Sequence, residues 1–221
     1  MFYFRINRLK IKDNREGRRF IIFGRDLAEV KLFSFISTEN VDLPEFDEYF
    51  VTNEQARKKE IIKSAVSKVA SSRIFTEIEN VKDDHILTFG DTGYVLYQTE
   101  KIPQDFNWMF LAIESDRKSR EIAEDFEKVV EDPEFDKFAD NIIGFLSAGP
   151  TAPYTFAKEA ARFIGKIITK QMKNNKDDLI GILYMSLNRA EHYLHADRKK
   201  DGVPDLTNNM YIDYSLFGFI E

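Results

Sequence analysis

Residues 108–113 read Trp-Met-Phe-Leu-Ala-Ile, and this stretch of six apolar residues decides the fold class. A short, unbroken apolar run is typical of a strand that is buried on both faces. Six residues are too few for a helix of ordinary length. The sequence therefore predicts a central β-strand at 108–113.

Further strands are predicted on both sides of this run. Residues 2–11 alternate between apolar and polar side chains, and one slip near Asn7 and Arg8 indicates a β-bulge. Apolar or alternating runs predict the other strands at 20–24, 30–36, 86–89, 94–97, 179–187 and 210–219.

Two turns predict β-hairpins. Asp13 to Gly17 is turn chemistry between the first two predicted strands. Gly90-Asp91-Thr92-Gly93 lies between the strands at 86–89 and 94–97, and it is the strongest hairpin signal in the chain.

Apolar residues at three- and four-residue steps predict helices in the middle of the chain. One helix is expected at about 53–72, and two to three more at 115–175. The segment 42–49, with Pro44 and four acidic residues, is predicted to be a connection. Strands at both ends with helices between them favour an α+β fold, a mostly antiparallel β-sandwich with a helical insertion. We expect one domain over 1–221, with 1–114 and 176–221 mainly β.

Composition excludes several classes of protein. The 221 residues carry a formal net charge of −6, which argues against a nucleic-acid coat, because phosphate contacts need a basic surplus. The absence of cysteine excludes thiol nucleophiles, disulfides and thiolate metal sites. No secretory signal or apolar run long enough for a membrane span is seen in the sequence, so a cytoplasmic protein is expected.

Residues 177–187 read Asp-Asp-Leu-Ile-Gly-Ile-Leu-Tyr-Met-Ser-Leu. This stretch resembles a late strand of the C2 domain, the calcium- and lipid-binding domain of the protein-kinase-C type. The resemblance implies an eight-stranded sandwich. Calcium-dependent members carry an Asp-x-Asp pair just before this turn, whereas residues 170–175 here read Lys-Gln-Met-Lys-Asn-Asn. The resemblance therefore implies a calcium-independent member that contacts a protein or a lipid.

A row of basic residues follows one side of the third predicted helix of the insertion, and it is the candidate binding site. An i, i+4 row of this kind beside an apolar face can lie on an anionic membrane or dock on a partner. Alternatively, the apolar face completes the core and the basic residues form its solvent side. The row consists of Lys158, Arg162, Lys166 and Lys170, with Lys173 nearby.

Two motifs have a possible catalytic meaning. Asp91-Thr92-Gly93 spells the triplet of aspartic proteases, but those enzymes need two such loops, and the chain has one. Ser115 and Lys118 suggest a serine–lysine pair, although their charged neighbours oppose the desolvation that a lysine base requires. Turn chemistry is the favoured interpretation of Asp91, and no specific motif supports an enzyme.

Candidate metal ligands are concentrated near residue 200. His192 and His195 have the spacing of a His-x-x-His pair, but a zinc site needs further ligands. Asp197, Asp201 and Asp205 resemble the acidic positions of a calcium loop, whose third and twelfth positions here hold Lys199 and Asn208. A solvated surface loop is favoured, and no cofactor is predicted.

The sequence thus predicts a non-enzymatic interaction module that contacts a protein partner or an anionic membrane surface. Residues 1–25 hold eight basic and two acidic residues, so one part of the chain could meet an anionic surface despite the overall charge. A subunit or effector of a larger assembly, including a homo-oligomer, is an alternative, because twenty Phe and nine Tyr exceed what a modest core hides. A hydrolase that uses Asp91 or the two histidines is the other alternative.

Overall fold

The computed structural model describes residues 1–15, 27–146, 151–175 and 177–219, and residues 173–175 by their backbone alone. The predicted strand at 20–24 lies outside these residues. The chain forms two compact units. The first unit comprises Met1–Ile36, Ile74–Asp116 and Met172–Glu221, and the second comprises Ser37–Arg73 and Arg117–Gln171.

The first unit contains the β-strands, apart from Ser37 and Thr38 at the end of the second strand. In chain order they are β1 (Phe2–Ile11), β2 (Ala28–Thr38), β3 (Ile74–Val81), β4 (His85–Thr88), β5 (Tyr94–Thr99), β6 (Asp105–Glu114), β7 (Asp178–Asn188), β8 (Arg198–Pro204) and β9 (Met210–Gly218). The first sheet has the order β4-β1-β9-β8, with β5 also paired to β1. The second sheet has the order β3-β2-β6-β7. The α+β class with antiparallel sheets is therefore confirmed.

The two sheets enclose one hydrophobic core. Alternate residues of β1 point into it because successive side chains of a strand project to opposite faces. The Phe4 ring of the first sheet lies 4.8 Å from the Trp108 ring of the second, measured between centroids, and the Phe2 ring lies 6.1 Å from the Phe106 ring. Every residue of β6 from Phe106 to Glu114 is buried, so the predicted central strand is confirmed.

The second unit is helical. Its helices are α1 (Glu45–Val51), α2 (Gln55–Ser71), α3 (Ser119–Glu127), a 3₁₀ turn (Lys128–Glu131), α4 (Phe135–Phe145) and α5 (Ala152–Asn175), whose last residues belong to the first unit. Aromatic contacts hold them together: Phe46 of α1 lies 4.9 Å from Phe156 of α5, and Phe138 of α4 stacks on Phe163 at 4.4 Å. A short helix, α6 (Arg189–His192), follows β7. None of the described helices has the length and apolar character that crossing a bilayer requires.

The strongest hairpin prediction is wrong. β4 and β5 do not pair with each other, since both run antiparallel to β1, β4 along Arg8–Ile11 and β5 along Phe2–Ile6. β1 has ten residues, so it is long enough for both strands to pair with it one after the other. Residues 89–93 are therefore a loop that interrupts a single edge of the sheet.

Two further predictions are wrong because contacts with distant segments, and not local composition, determine the secondary structure there. The segment 42–49, predicted as a connection, contains most of α1, whose Phe46 and Tyr49 are buried. The stretch from Arg198 to Pro204, predicted as a surface loop, is the edge strand β8, since it pairs with β9. The predicted helix at 53–72 is confirmed as α2, but it belongs to the helical unit, while the single domain over 1–221 stays a prediction.

Candidate functional site

The outer face of the first sheet carries a row of basic and aromatic side chains. On β1 it consists of Tyr3, Arg5, Arg8 and Lys10, and Lys12 follows directly after the strand. The four residues on β1 lie opposite four residues of β9, which are Phe217, Ser215, Asp213 and Tyr211 in that order. Arg5 and Arg8 share this face although they are three residues apart, because the ladder shifts register between Ile6 and Arg8. The bulge predicted at this point is confirmed. We call these residues the basic face.

Arg5 is held by three contacts near one end of the basic face. Its Nε donates to Ser215 Oγ at 2.9 Å, and its Nη1 donates to the Thr92 carbonyl at 2.7 Å. Its guanidinium carbon lies 4.9 Å from the centre of the Phe217 ring. That ring stacks on Tyr3 with a centroid separation of 4.9 Å and an angle of 13° between the planes. Arg5 is thereby fixed as a half-exposed cation beside an aromatic pair.

The loop at 89–93 supports this position of Arg5. Gly93 has a φ of +67°, and a Cβ placed on it would lie 2.8 Å from Arg5 Cδ and 3.0 Å from the Ile6 carbonyl. Glycine is required there by both the left-handed backbone and the close approach. Asp91, at the tip of this loop, is exposed, and its turn follows from Gly90 and Gly93.

Lys12 is the second cation of the basic face that rests on a ring. Its Nζ lies 4.4 Å from the centre of the Tyr211 ring and donates to the Tyr211 hydroxyl at 2.6 Å. Cation–π contacts of this kind stabilise the position of a lysine without neutralising its charge. Lys12 therefore remains a positive group at the other end of β1.

The two cations between them are neutralised. Arg8 forms a 2.7 Å ion pair with Asp213, whose other oxygen accepts from the Gly202 N–H at 2.6 Å. Lys10 forms a 2.8 Å ion pair with Asp84 and holds the pKa of that carboxyl below its ordinary value through this hydrogen bond. In the described part of the chain, neither Arg5 nor Lys12 has a carboxylate within ion-pair distance. Arg5 and Lys12 therefore form no direct ion pair, although Lys12 also lowers the pKa of the Asp84 carboxyl from a longer distance.

Most basic residues of the predicted binding row on α5 form ion pairs with carboxylates of the helical unit. Lys166 contacts Glu134, and Lys170 pairs with Glu134 at 3.1 Å and with Asp132 at 3.3 Å. Arg162 pairs with Glu159 at 2.7 Å. Through hydrogen bonds, the two lysines hold the pKa of Glu134 below its ordinary value, and Glu134 raises the pKa of Lys170.

The apolar side of α5 is buried. It comprises Phe156, Ala160, Phe163, Ile164 and Ile167. Lys158 is half-exposed, and the side chain of Lys173 lies outside the described residues. The binding role of this row stays a prediction, but its apolar face is part of the protein interior and is not available to a membrane.

Asp205, one of the candidate metal ligands, is a structural residue. It is 3% exposed, and its carboxylate accepts five hydrogen bonds of 2.8–2.9 Å. The donors are the N–H groups of Ile182, Thr207, Asn209 and Met210 and the Thr207 hydroxyl. These bonds fasten the turn between β8 and β9 to β7. The motif Asp-x-Thr-x-Asn at 205–209 could have predicted this role, because Asp side chains accept hydrogen bonds from nearby backbone N–H groups in such turns.

The other candidate ligands are not brought together. Asp201 pairs with Lys199 at 3.5 Å, and Asp197 is exposed. His192 Nδ1 accepts from the Asn188 N–H at 3.1 Å, which occupies this nitrogen, while His195 is exposed. Across the described ranges, no three acidic or histidine side chains are placed to hold a metal ion.

A buried polar cluster at one end of the second sheet was not predicted. Lys31 is fully buried and donates to the Ser115 carbonyl at 2.6 Å, with Glu29 and Glu77 each 3.4 Å away. Ser115 donates its hydroxyl to Asp177 at 2.6 Å and is 1% exposed. The Ser115 hydroxyl is engaged by the Asp177 carboxylate, so the serine–lysine motif at 115–118 gains no support.

The basic face is therefore the candidate functional site of the first unit. It combines aromatic side chains on an exposed sheet face with Arg5 and Lys12, two fixed cations that form no direct ion pair in the described residues. No protein-family model matches the chain, and neither a curated protein nor a solved structure is significantly similar to it.

Proposed function

We propose that the protein is a non-enzymatic interaction module whose basic face binds an acidic segment of a partner protein. One observation carries this proposal: Arg5 and Lys12 are each held on an aromatic ring and have no carboxylate partner in the described residues. A cation that is already positioned loses little side-chain entropy on binding, so it is well suited to a partner's carboxylate. Lys12 lies seven positions after Arg5, a separation of roughly 20 Å along an extended strand.

An anionic membrane fits the basic face less well. Polybasic membrane sites gain about 1 kcal/mol for each unneutralised cation near the surface, so they use several of them. Here Arg8 and Lys10 are paired with carboxylates. The Tyr3 and Phe217 rings stack on each other and are half-buried, so they do not protrude as membrane-inserting groups would.

A nucleic acid is also a poorer partner. Binding of single strands depends on aromatic faces that are open to bases. Arg5 and Tyr3 cover the Phe217 ring, and Lys12 covers the Tyr211 ring. The net charge of −6 opposes long-range attraction of a polyanion.

The C2-like, calcium-independent character of the first unit belongs to the same proposal. It is supported by two antiparallel sheets around one core and by a strand that begins at Asp178, within the stretch 177–187. Asp205, the buried member of the three candidate calcium ligands, has its two oxygens engaged by five donors. Assembly into a larger complex remains the alternative and differs from the proposal in needing no acidic partner.

The proposal is tested with two fluorescent acidic peptides of equal charge. One places two Glu-Glu pairs about seven residues apart, and the other places them two residues apart. Fluorescence anisotropy is measured with the wild type, with Arg5→Gln/Lys12→Gln and with the matched control Lys58→Gln/Lys63→Gln. The control removes the same charge from α2 and includes a lysine that lies 5.1 Å from the centre of the Tyr49 ring.

We expect tighter binding of the widely spaced peptide and a loss of about tenfold in the Arg5/Lys12 variant. The estimate is two contacts of roughly 0.5–1 kcal/mol each, where 1.4 kcal/mol is tenfold. Equal binding by both double variants would contradict the proposal. Binding of phosphatidylserine vesicles, but of neither peptide, with the same dependence on Arg5 and Lys12 would replace the protein partner with a membrane.

A further inference from the structure

The outer edge of β3 is a second surface where the protein could bind a partner. β3 is the terminal strand of the second sheet and pairs with β2 through Ile74 to Val81. Every second residue of such a strand directs its backbone N–H and C=O away from the sheet. An edge of this kind can add a strand from another chain, and natural proteins usually block it.

The opposite edge of the second sheet is blocked by specific contacts. At β7, the Ile182 N–H donates to Asp205 at 2.9 Å, and the Ile182 carbonyl accepts from the Leu206 N–H at 2.9 Å. Further along the strand, the Asn188 N–H donates to His192. A strand that approached β7 would have to displace these groups.

The edges of the first sheet are blocked in other ways. β8 carries Lys199 and Lys200, a left-handed Gly202 and Pro204, all of which oppose strand addition. On the other side, the 89–93 loop breaks the edge between β4 and β5. Both edges therefore lack a long, regular stretch.

β3 differs from these edges over residues 74–79. It has no proline, lysine or glycine. The Val81 carbonyl accepts from Asn14 Nδ2 at 3.0 Å, and Asn80 has a φ of 62°, so the regular edge ends there. Within the described ranges, the backbone of Ile74, Phe75, Thr76 and Ile78 receives no such side-chain cap.

The exposed side of β3 is acidic. Phe75 is 38% exposed, and Glu77 and Glu79 follow it on the same face. Glu77 lies 3.4 Å from the buried Lys31, whereas Glu79 has no cation in contact within the described residues. Opposite charges on adjacent strands attract, and like charges directly opposite repel. Antiparallel self-pairing of β3 in the register centred on residue 77 would place Glu77 opposite the same residue of a second copy, which disfavours that register.

We propose that the β3 edge binds an extended basic segment of a protein by strand addition. A Lys or Arg residue of the segment faces Glu79, and an apolar residue faces Phe75. Main-chain hydrogen bonds supply the affinity, and the contacts at Glu79 and Phe75 supply the register. This edge is separate from the basic face, so the inference does not depend on the function proposed for that face.

The test uses a labelled peptide of alternating lysine and valine and a second peptide of the same charge whose central valine is proline. Proline removes a backbone donor and prevents strand pairing but leaves the net charge unchanged. Affinities are measured by fluorescence anisotropy with the wild type, with Glu79→Lys and with the matched control Glu100→Lys, which reverses an exposed carboxylate outside β3. Amide hydrogen exchange with and without peptide locates the bound segment.

We expect the proline peptide to bind at least tenfold more weakly than the alternating peptide. Glu79→Lys should weaken binding several-fold, while Glu100→Lys should match the wild type and Arg5→Gln/Lys12→Gln should not weaken binding. Exchange protection should appear at amides of residues 74–79. The inference is overturned if the two peptides bind equally, if both charge-reversal variants weaken binding to the same extent, if protection appears elsewhere, or if neither peptide binds.

Discussion

The guanidinium carbon of Arg5 lies 4.9 Å from the centre of the Phe217 ring, on the strand next to its own. The contact joins the two central strands of the first sheet on their exposed side. The Thr92 carbonyl accepts from the same guanidinium, so the loop at 89–93 and β9 hold Arg5 from two sides. The basic face is therefore built by three separate segments of the chain.

Substitution of Gly93 should disturb this arrangement more than substitution of Gly90. Both residues have positive φ, but an added Cβ at Gly93 would lie 2.8 Å from Arg5 Cδ, whereas at Gly90 it meets nothing within 4 Å. We expect Gly90→Ala to lower the free energy of unfolding by about 1 kcal/mol through backbone strain alone. Gly93→Ala should cost roughly 1–2 kcal/mol more. Urea denaturation of both variants measures the difference, and equal losses would refute the role given to the loop.

Asp205 should contribute far more to stability than its neighbour Asp201. Asp205→Asn replaces one of two acceptor oxygens by a donor in a buried site that presents five donors. We expect a loss of about 2–4 kcal/mol in the free energy of unfolding. The matched change Asp201→Asn affects an exposed ion pair and should stay within about 0.5 kcal/mol. Chemical denaturation distinguishes the two, and a comparable effect of both changes would count against the assigned role.

Calcium should not stabilise the protein. The Asp205 oxygens are occupied by donors, and Asp201 is paired with Lys199. Thermal unfolding followed by circular dichroism should give the same midpoint in millimolar calcium and in EDTA. A higher midpoint in calcium that disappears in Asp201→Asn would show that the loop binds the ion.

The stability of the helical unit should depend on pH through Glu134. Hydrogen bonds from Lys166 and Lys170 hold the pKa of this carboxyl below its ordinary value of 4.5. A carboxyl whose pKa is lower in the folded state stabilises the protein above its unfolded pKa, and this contribution is lost as pH falls through the folded pKa. The difference in unfolding free energy between wild type and Glu134→Gln should therefore shrink as pH falls below about 4.5.

Replacement of the two lysines provides the control for this effect. In a Lys166→Gln/Lys170→Gln background, Glu134→Gln should produce a difference with much less dependence on pH. Denaturation curves between about pH 3 and 6 measure both differences. A difference that grows as pH falls would show that the ion pairs do not lower the pKa of Glu134 in solution.

Local patterns in the sequence predicted the strands and the bulge that depend on the spacing of apolar residues within one segment. The slip near Asn7 and Arg8 correctly indicated the bulge, and the apolar run at 108–113 indicated a strand buried on both faces. The stretch at 179–187 was expected as a strand and is contained in β7. In each case, the spacing of apolar side chains reports burial directly, whatever the partner strand is.

These patterns could not predict which distant strands and side chains pair with each other. Gly90 to Gly93 has the same chemistry whether it joins a hairpin or interrupts one edge, and only the partner of the flanking strands decides between them. Lys31 gives no sign of burial in its own segment, because its partner Ser115 is distant in sequence. The eight basic residues within 1–25 did signal a positive region, but not which of them would be neutralised by Asp213 and Asp84.

The basic face can be tested most directly by mapping the bound peptide on the protein. Isotope-labelled protein is titrated with the widely spaced acidic peptide, and backbone amide shifts are followed by NMR. The account predicts shifts at Tyr3 to Lys12, at Thr92 and Gly93, and at Tyr211 to Phe217, all of which are lost in Arg5→Gln/Lys12→Gln. Shifts confined to α5 around Lys158 and Arg162, or no shifts at all, would contradict it.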